Sequence, residues 1–213
     1  MARLPTDPFR RVTIKSIAKY ASAACAACAL ALLAACSKED APQFKSIDLT
    51  GADYAQNFAL TDQNGQARTL KDFAGKVVVV FFGFTQCPDV CPTTLAELAE
   101  IKKSLGADGE KLQAIFITVD PERDTPELLK AYMVNFDPSF LALRPAIDKL
   151  PGLAKDFKIY YKKVEGRAAG SYSMDHSAGS YVFDTKGRIR LYSRYETGTE
   201  GLTSDIRLLL KGA

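Results

Sequence analysis

From Val77 to Phe82 six consecutive residues are apolar. A run with no polar face is the pattern of a central strand covered on both sides. On either side of it the period changes. Phe58 to Thr61 and Ala67 to Leu70 flank Asp62-Gln63-Asn64-Gly65, which reads as a hairpin with an Asn-Gly turn. Thr93 to Leu105 places Leu95, Leu98, Ile101 and Leu105 at helical spacing, and Gly106 closes the helix. Ala114 to Val119 reads as a second buried strand. Thr125-Pro126-Glu127 opens a helix with Thr125 as cap, Pro126 in the first turn, and Leu128, Leu129, Tyr132 and Met133 on one face. Ala146 to Phe157 predicts a third helix, interrupted near Pro151. Tyr181 to Phe183 and Ile189 to Tyr192 flank Asp184-Thr185-Lys186-Gly187 as a second hairpin, and Ser204 to Leu210 predicts a last helix.

The order hairpin, strand, helix, strand, helix, helix, hairpin, helix is a thioredoxin-like α/β pattern with an additional N-terminal β-hairpin. It predicts one domain over residues 47–213. The first 35 residues fall outside it: Arg3, Arg10, Arg11, Lys15 and Lys19 precede an uncharged, alanine-rich stretch from Tyr20 to Ala35, the layout of a secretory signal. That stretch is shorter than the roughly 18 to 20 strongly apolar residues a spanning helix needs. Leu33-Ala34-Ala35-Cys36 resembles a bacterial lipobox, which predicts cleavage and an acylated Cys36. Residues 36–46 are then a lipidated tether, and the expected location is the cell envelope of a bacterium, facing the periplasm or extracytoplasmic space. A twin-arginine reading of Arg10-Arg11 is weakened by Thr13, where such signals carry a bulky apolar residue. Cys25-Ala26-Ala27-Cys28 lies inside the signal and is discarded as a site.

Composition adds two limits. With 213 residues and 47% hydrophobic content, the chain is long enough for one domain with a substantial core. The formal charge of +3 belongs to the leader: removing its five basic residues and one acid from 28 and 25 leaves 23 against 24. No basic surface for nucleic acid is indicated.

The candidate chemistry is Cys87-Pro88-Asp89-Val90-Cys91, directly after the apolar run. Such a pair at a strand-to-helix turn is compatible with a structural disulfide, a redox couple or a soft-metal clamp. At the positive end of a helix both sulfurs should be acidic, and Pro92 should bias Cys91 toward an extended, cap-like conformation. One helical turn of separation also permits a disulfide. Parallel strands ending near Phe84 and Val119 would open Cys87 and Asp120 onto one sheet edge, and an antiparallel strand at Tyr181 would bring Asp175-His176-Ser177 to it. His176 is the only histidine in the chain. A lone histidine is ordinarily a satisfied core or surface residue, but this placement makes it a third ligand candidate. Zinc would want four such ligands, whereas two thiolates and one imidazole suit copper(I), and copper(II) if a water or carboxylate completes the set.

Phe82-Gly83-Phe84-Thr85-Gln86-Cys87-Pro88-Asp89-Val90-Cys91-Pro92, Thr118-Val119-Asp120-Pro121-Glu122-Arg123-Asp124-Thr125-Pro126 and Asp175-His176-Ser177-Ala178 together closely resemble the Sco/SenC proteins, in order. The resemblance extends from about Asp48 to the end. It implies a membrane-tethered thioredoxin-fold copper chaperone that helps assemble the dinuclear copper centre of cytochrome c oxidase. It makes Cys87, Cys91 and His176 the copper ligands and the copper-site subunit of the oxidase the partner. A thiol reductase or another copper chaperone would be further partners. Asp120, Asp124 and Asp175 match acidic motif positions, with roles in orienting ligands or facing a partner; a solvated, capped loop is the alternative for residues 120–124. The family's usual anchor is a transmembrane helix, whereas this chain carries the lipobox.

A second function from the same residues is thiol-disulfide exchange, with Cys87 and Cys91 catalytic and the oxidase cysteines kept reduced through a mixed disulfide. Against thioredoxin-style turnover, three residues separate the cysteines and no proline stands in the His176 loop. Thr85-Gln86-Cys87 also faintly resembles a peroxidatic cysteine loop. Tyr160, Tyr161 and Tyr192 are expected to be packing residues.

Overall fold

The computed structural model describes residues 42–213. The leader, the lipobox and Cys36 lie outside the described residues. No helix among the described residues is long and apolar enough to cross a membrane.

The apolar run becomes β4, Val77–Gly83, with every residue buried. It pairs in parallel with β5, Leu112–Thr118, in register from Val77↔Leu112 to Gly83↔Thr118. Alternation along β4 sends Phe81 and Phe82 to opposite faces. Phe81 meets Phe116, and Phe82 meets Phe157 edge-on at 5.1 Å between ring centroids. Both faces are therefore covered, which is why no polar residue interrupts the run.

The other strands are β1 (Ile47–Asp48), β2 (Ala59–Asp62), β3 (Ala67–Thr69), β6 (Leu141–Arg144), β9 (Ser180–Phe183) and β10 (Ile189–Ser193). With β4 and β5 they complete an eight-stranded sheet in the order β1-β10-β9-β4-β5-β6-β2-β3. The fold is thioredoxin-like, with the predicted N-terminal hairpin added at the end of the sheet through β2 pairing with β6. Both predicted hairpins form, and both use one device. Asp62 Oδ1 accepts the amides of Asn64 and Gln66 while its other oxygen holds Arg68. Asp184 does the same for Lys186, Arg188 and the Arg188 guanidinium.

Four helices form where the pattern places them: α1 (Val90–Ser104), α2 (Pro126–Met133), α3 (Leu150–Asp156), which starts four residues later than expected, and α4 (Gly198–Leu210), which starts six residues earlier. Thr125 caps α2 as expected, its hydroxyl accepting the Leu128 amide at 3.2 Å. α1 begins three residues earlier than its periodicity indicates, so Cys91 lies within its first turn. α1 and α4 pack on one another.

Besides the short strand β6, two features are new relative to the sequence pattern. A separate two-stranded ribbon, β7 (Tyr161–Glu165) with β8 (Tyr172–His176), shares no ladder with the main sheet. The chain also already lies on the body ahead of residue 47. Phe44 packs against the core, and the amides of Lys45 and Ser46 each donate to the buried Asp205 carboxylate at 2.8 Å. β1 runs antiparallel to β10, with Ile47 opposite Tyr192 near the edge where β4, β5 and β10 end, while Phe44 lies 5.7 Å from the Arg190 guanidinium near the start of β10.

Candidate metal centre

That edge carries the cysteines. β4 stops at Gly83 and the chain turns through Phe84, Thr85 and Gln86 before α1. The turn is held from below by Asp124, whose fully buried carboxylate accepts the Thr85 amide, the Thr85 hydroxyl at 2.6 Å and the Thr118 hydroxyl at 2.5 Å. The Cys87 amide donates to the Phe84 carbonyl. The Cys91 amide, one of the unpaired donors of the first helical turn, donates to Cys87 Sγ at 3.4 Å. Cys87 is half-buried and Cys91 is buried. Gly83 makes the approach possible, because a Cβ there would stand 2.8 Å from Cys91 Sγ.

His176 is the last residue of β8, delivered to the same edge by the ribbon rather than by a loop before β9. Its Nε2 lies 3.5 Å from Cys91 Sγ and its Nδ1 lies 2.9 Å from the Ser177 carbonyl oxygen. A carbonyl only accepts, so Nδ1 carries the proton and the Nε2 lone pair is left facing the sulfurs. The edge-on rings of Phe81, at 6.1 Å, and Phe84, at 5.8 Å, bracket the imidazole. The ligand atoms of Cys87, Cys91 and His176 all lie within 4.8 Å of one another, and no fourth side chain joins them among the described residues. This donor set of two sulfurs and one nitrogen suits a soft ion of low coordination better than a closed four-ligand site.

Burial sets the protonation of the group. It lowers the imidazole pKa, which the hydrogen bond to Ser177 and the charge of Asp175 only partly oppose, so the ring is the neutral, ligand form. It pushes the Cys91 thiol well above its ordinary value, reinforced by Cys87 beside it. The expectation that both sulfurs are acidic fails at Cys91, because desolvation outweighs the helix end there. The extended conformation expected for Cys91 fails too, since the residue is helical.

The acidic motif is not a solvated loop. Asp120 and Asp124 are both buried, and only Asp175 is exposed. Asp120 accepts from Arg123 Nε and from the Tyr172 hydroxyl at 3.0 Å. Tyr172 was not singled out by sequence reasoning; Arg123 and Gln86 enter it only as members of the matched motifs, without a role in the site. Tyr161 and Tyr192 pack against the core as expected, whereas Tyr160 is 57% exposed.

Comparison with known proteins places the chain among relatives. The SCO1/SenC family model matches residues 48–211. An SCO2-like protein of Rickettsia felis is 38% identical over 133 residues, covering 62% of this chain and 65% of the relative, a little under two thirds of its length. The structure of Bradyrhizobium japonicum ScoI with copper bound is 41% identical, with a TM-score of 0.65, over 72% of this chain and 97% of that one. A SCO1/SenC family lipoprotein from Bacillus anthracis is 28% identical, with a TM-score of 0.62, over 72% of this chain and 92% of the other. With a family model matched over residues 48–211 and the fold shared with solved members, the chain belongs to the SCO1/SenC family.

Proposed function

We propose that the protein binds copper through Cys87, Cys91 and His176 and delivers it to the dinuclear copper centre of cytochrome c oxidase during assembly. One observation carries this reading: three soft or borderline donors converge within 4.8 Å, with the tautomer of the imidazole fixed so that its free lone pair faces both sulfurs. Copper in the related ScoI structure supports the choice of metal.

The copper is cargo, and the burial of the three side chains supports an order of exchange. Cys91 keeps its proton as a buried thiol until the metal displaces it, so uptake releases protons. Cys87 and His176 are the partly exposed ligands, so an incoming acceptor thiolate displaces them first and Cys91 last. A lipid on Cys36 would keep the protein at a membrane on the extracytoplasmic side, and the Bacillus anthracis lipoprotein supports that form of anchor.

Titration of the reduced protein with copper(I) against a competing chelator tests the assignment. Wild type is expected to hold one copper, and His176→Ala to hold it more weakly. Indistinguishable affinities would remove His176 from the site.

The asymmetry of the cysteines also favours a second, compatible reading. Half-exposed Cys87 is placed to attack an acceptor disulfide, forming a mixed disulfide and releasing one thiolate. Buried Cys91 then resolves it, releasing the second thiol and leaving Cys87–Cys91 oxidised until an external dithiol reduces it. A chain in which His176→Ala supports full oxidase assembly while Cys87→Ser does not would establish this reading in place of delivery.

A further inference from the structure

His176 stands on the least anchored element of the molecule. The β7–β8 ribbon shares no backbone ladder with the main sheet, and an isolated two-stranded ribbon is marginal in water. Its position must come from side chains. Alternation puts Tyr172, Met174 and His176 on one face of β8, and Met174 is buried. Tyr172 is gripped from the body. Its ring centroid lies 3.5 Å from the Arg123 guanidinium carbon, and its hydroxyl donates to Asp120; within the ribbon itself, Lys163 Nζ lies 3.8 Å from the same ring.

Arg123 does more than stack. Its Nε donates to Asp120, and its Nη1 donates to the Tyr172 carbonyl at 2.8 Å and to Gln86 Oε1 at 2.9 Å. Gln86 immediately precedes Cys87. The guanidinium carbon also lies 5.8 Å from the Phe84 ring, and Phe84 is one of the two rings that bracket the imidazole. One planar group therefore touches the cysteine loop, the ring behind the histidine and the strand that carries the histidine. Its remaining nitrogen, Nη2, is buried with no hydrogen-bond partner among the described residues.

We propose that Arg123 is a positioning residue for the metal centre, locking the His176 ribbon against the Cys87 loop so that the imidazole is held at bonding distance from the sulfurs. The inference rests on the copper reading above. The fork is the working feature, because a lysine presents one point charge and cannot hold Asp120, Gln86 and the Tyr172 carbonyl together.

The test is a double-mutant cycle on the purified, reduced protein, read by copper(I) affinity against a chelator and by the thiolate-to-copper(II) absorption band. Arg123→Ala is expected to weaken copper(I) binding by ~10-fold, the usual effect of losing a group that orients a ligand. In a His176→Ala background the same change is expected to have no effect beyond about twofold. The absorption band should move toward that of His176→Ala, and Arg123→Lys should not restore it. If Arg123→Ala does not yield folded protein, Tyr172→Phe severs the link to Asp120 and is expected to weaken binding ~3-fold with the same dependence on His176. Wild-type affinity in Arg123→Ala or full rescue by lysine overturns the clamp, as does equal weakening in both backgrounds, and each leaves the ligand assignment standing. Wild-type affinity in His176→Ala itself overturns the ligand assignment and this inference with it.

Discussion

Gly83→Ala is the smallest change that tests whether the fold and the site share one volume. The backbone at Gly83 is not in the left-handed region, so alanine meets no conformational penalty and its effect is steric. Its methyl carbon would lie 2.7 Å from Phe116 Cε2, 2.8 Å from Cys91 Sγ and 3.1 Å from Phe81 Cε1, where ordinary contact begins at 3.4 Å. Phe116, Phe81 and Cys91 are all fully buried, so both rings and the sulfur must give way, and the sulfur is the neighbour whose displacement bears on the site. It must move by the deficit, 3.4 less 2.8, or 0.6 Å. That is several times the ±0.2 Å or so within which metal–ligand distances normally fall. Overpacking of this kind costs ~1–3 kcal/mol. If the sulfur retreats in the metal-free protein, that strain is reimposed when copper draws it back, and ~1.4 kcal/mol is a tenfold loss of affinity. If it cannot retreat, the strain appears in the fold, and ~2 kcal/mol lowers Tm by ~4–8 °C. Chelator competition and thermal unfolding of the same samples read the two outcomes. A variant with wild-type copper affinity and wild-type Tm would refute the close approach of Cys91 to β4.

Three further outcomes follow from the same contacts. Asp124→Asn replaces a carboxylate that accepts from Thr85 and Thr118 with an amide whose N–H groups face donors, and should lower stability by ~2–3 kcal/mol in urea unfolding; an unchanged midpoint would contradict the network. The metal-free protein should lose stability as pH falls below 6.5, because burial lowers the His176 pKa from that value and the unfolded chain then binds the proton more readily than the folded one. His176→Gln should remove that part of the slope, and identical pH profiles of Tm would count against the buried imidazole. Asp205→Ala should free the amides of Lys45 and Ser46, speeding their hydrogen exchange and costing ~2–3 kcal/mol while leaving copper affinity unchanged; protected amides in the variant would contradict the tie.

The sequence reads well where a single local rule decides the outcome. β4 is legible because burial on both faces leaves no polar position, and the two hairpins because Asn64-Gly65 and Lys186-Gly187 mark their turns. β6 escaped because Leu141–Arg144 is four residues between Phe140 and Pro145, too short to show a period. The β7–β8 ribbon escaped for a different reason: Lys162, Lys163, Val164 and Glu165 are all exposed, so β7 carries no apolar alternation to match that of Tyr172 and Met174 in β8. Of the site, the cysteines are legible from their place after a strand, and His176 from its motif. The Arg123 clamp is not, because it joins positions 37 and 49 residues apart through side chains that no local pattern ties together. The raised pKa of Cys91 follows the same logic: the helix end is visible in sequence, whereas the depth of its burial is set by the packed tertiary structure.

The course of the chain into β1 decides how the molecule can be handled. Phe44 lies 5.7 Å from the Arg190 guanidinium, which also donates to the Ala213 carbonyl, so Phe44 and Ala213 come together beside the start of β10, at the rim away from the two sulfurs and the imidazole. A reporter or affinity handle placed after Ala213 leaves that mouth clear, so rates of metal exchange measured with and without it should agree.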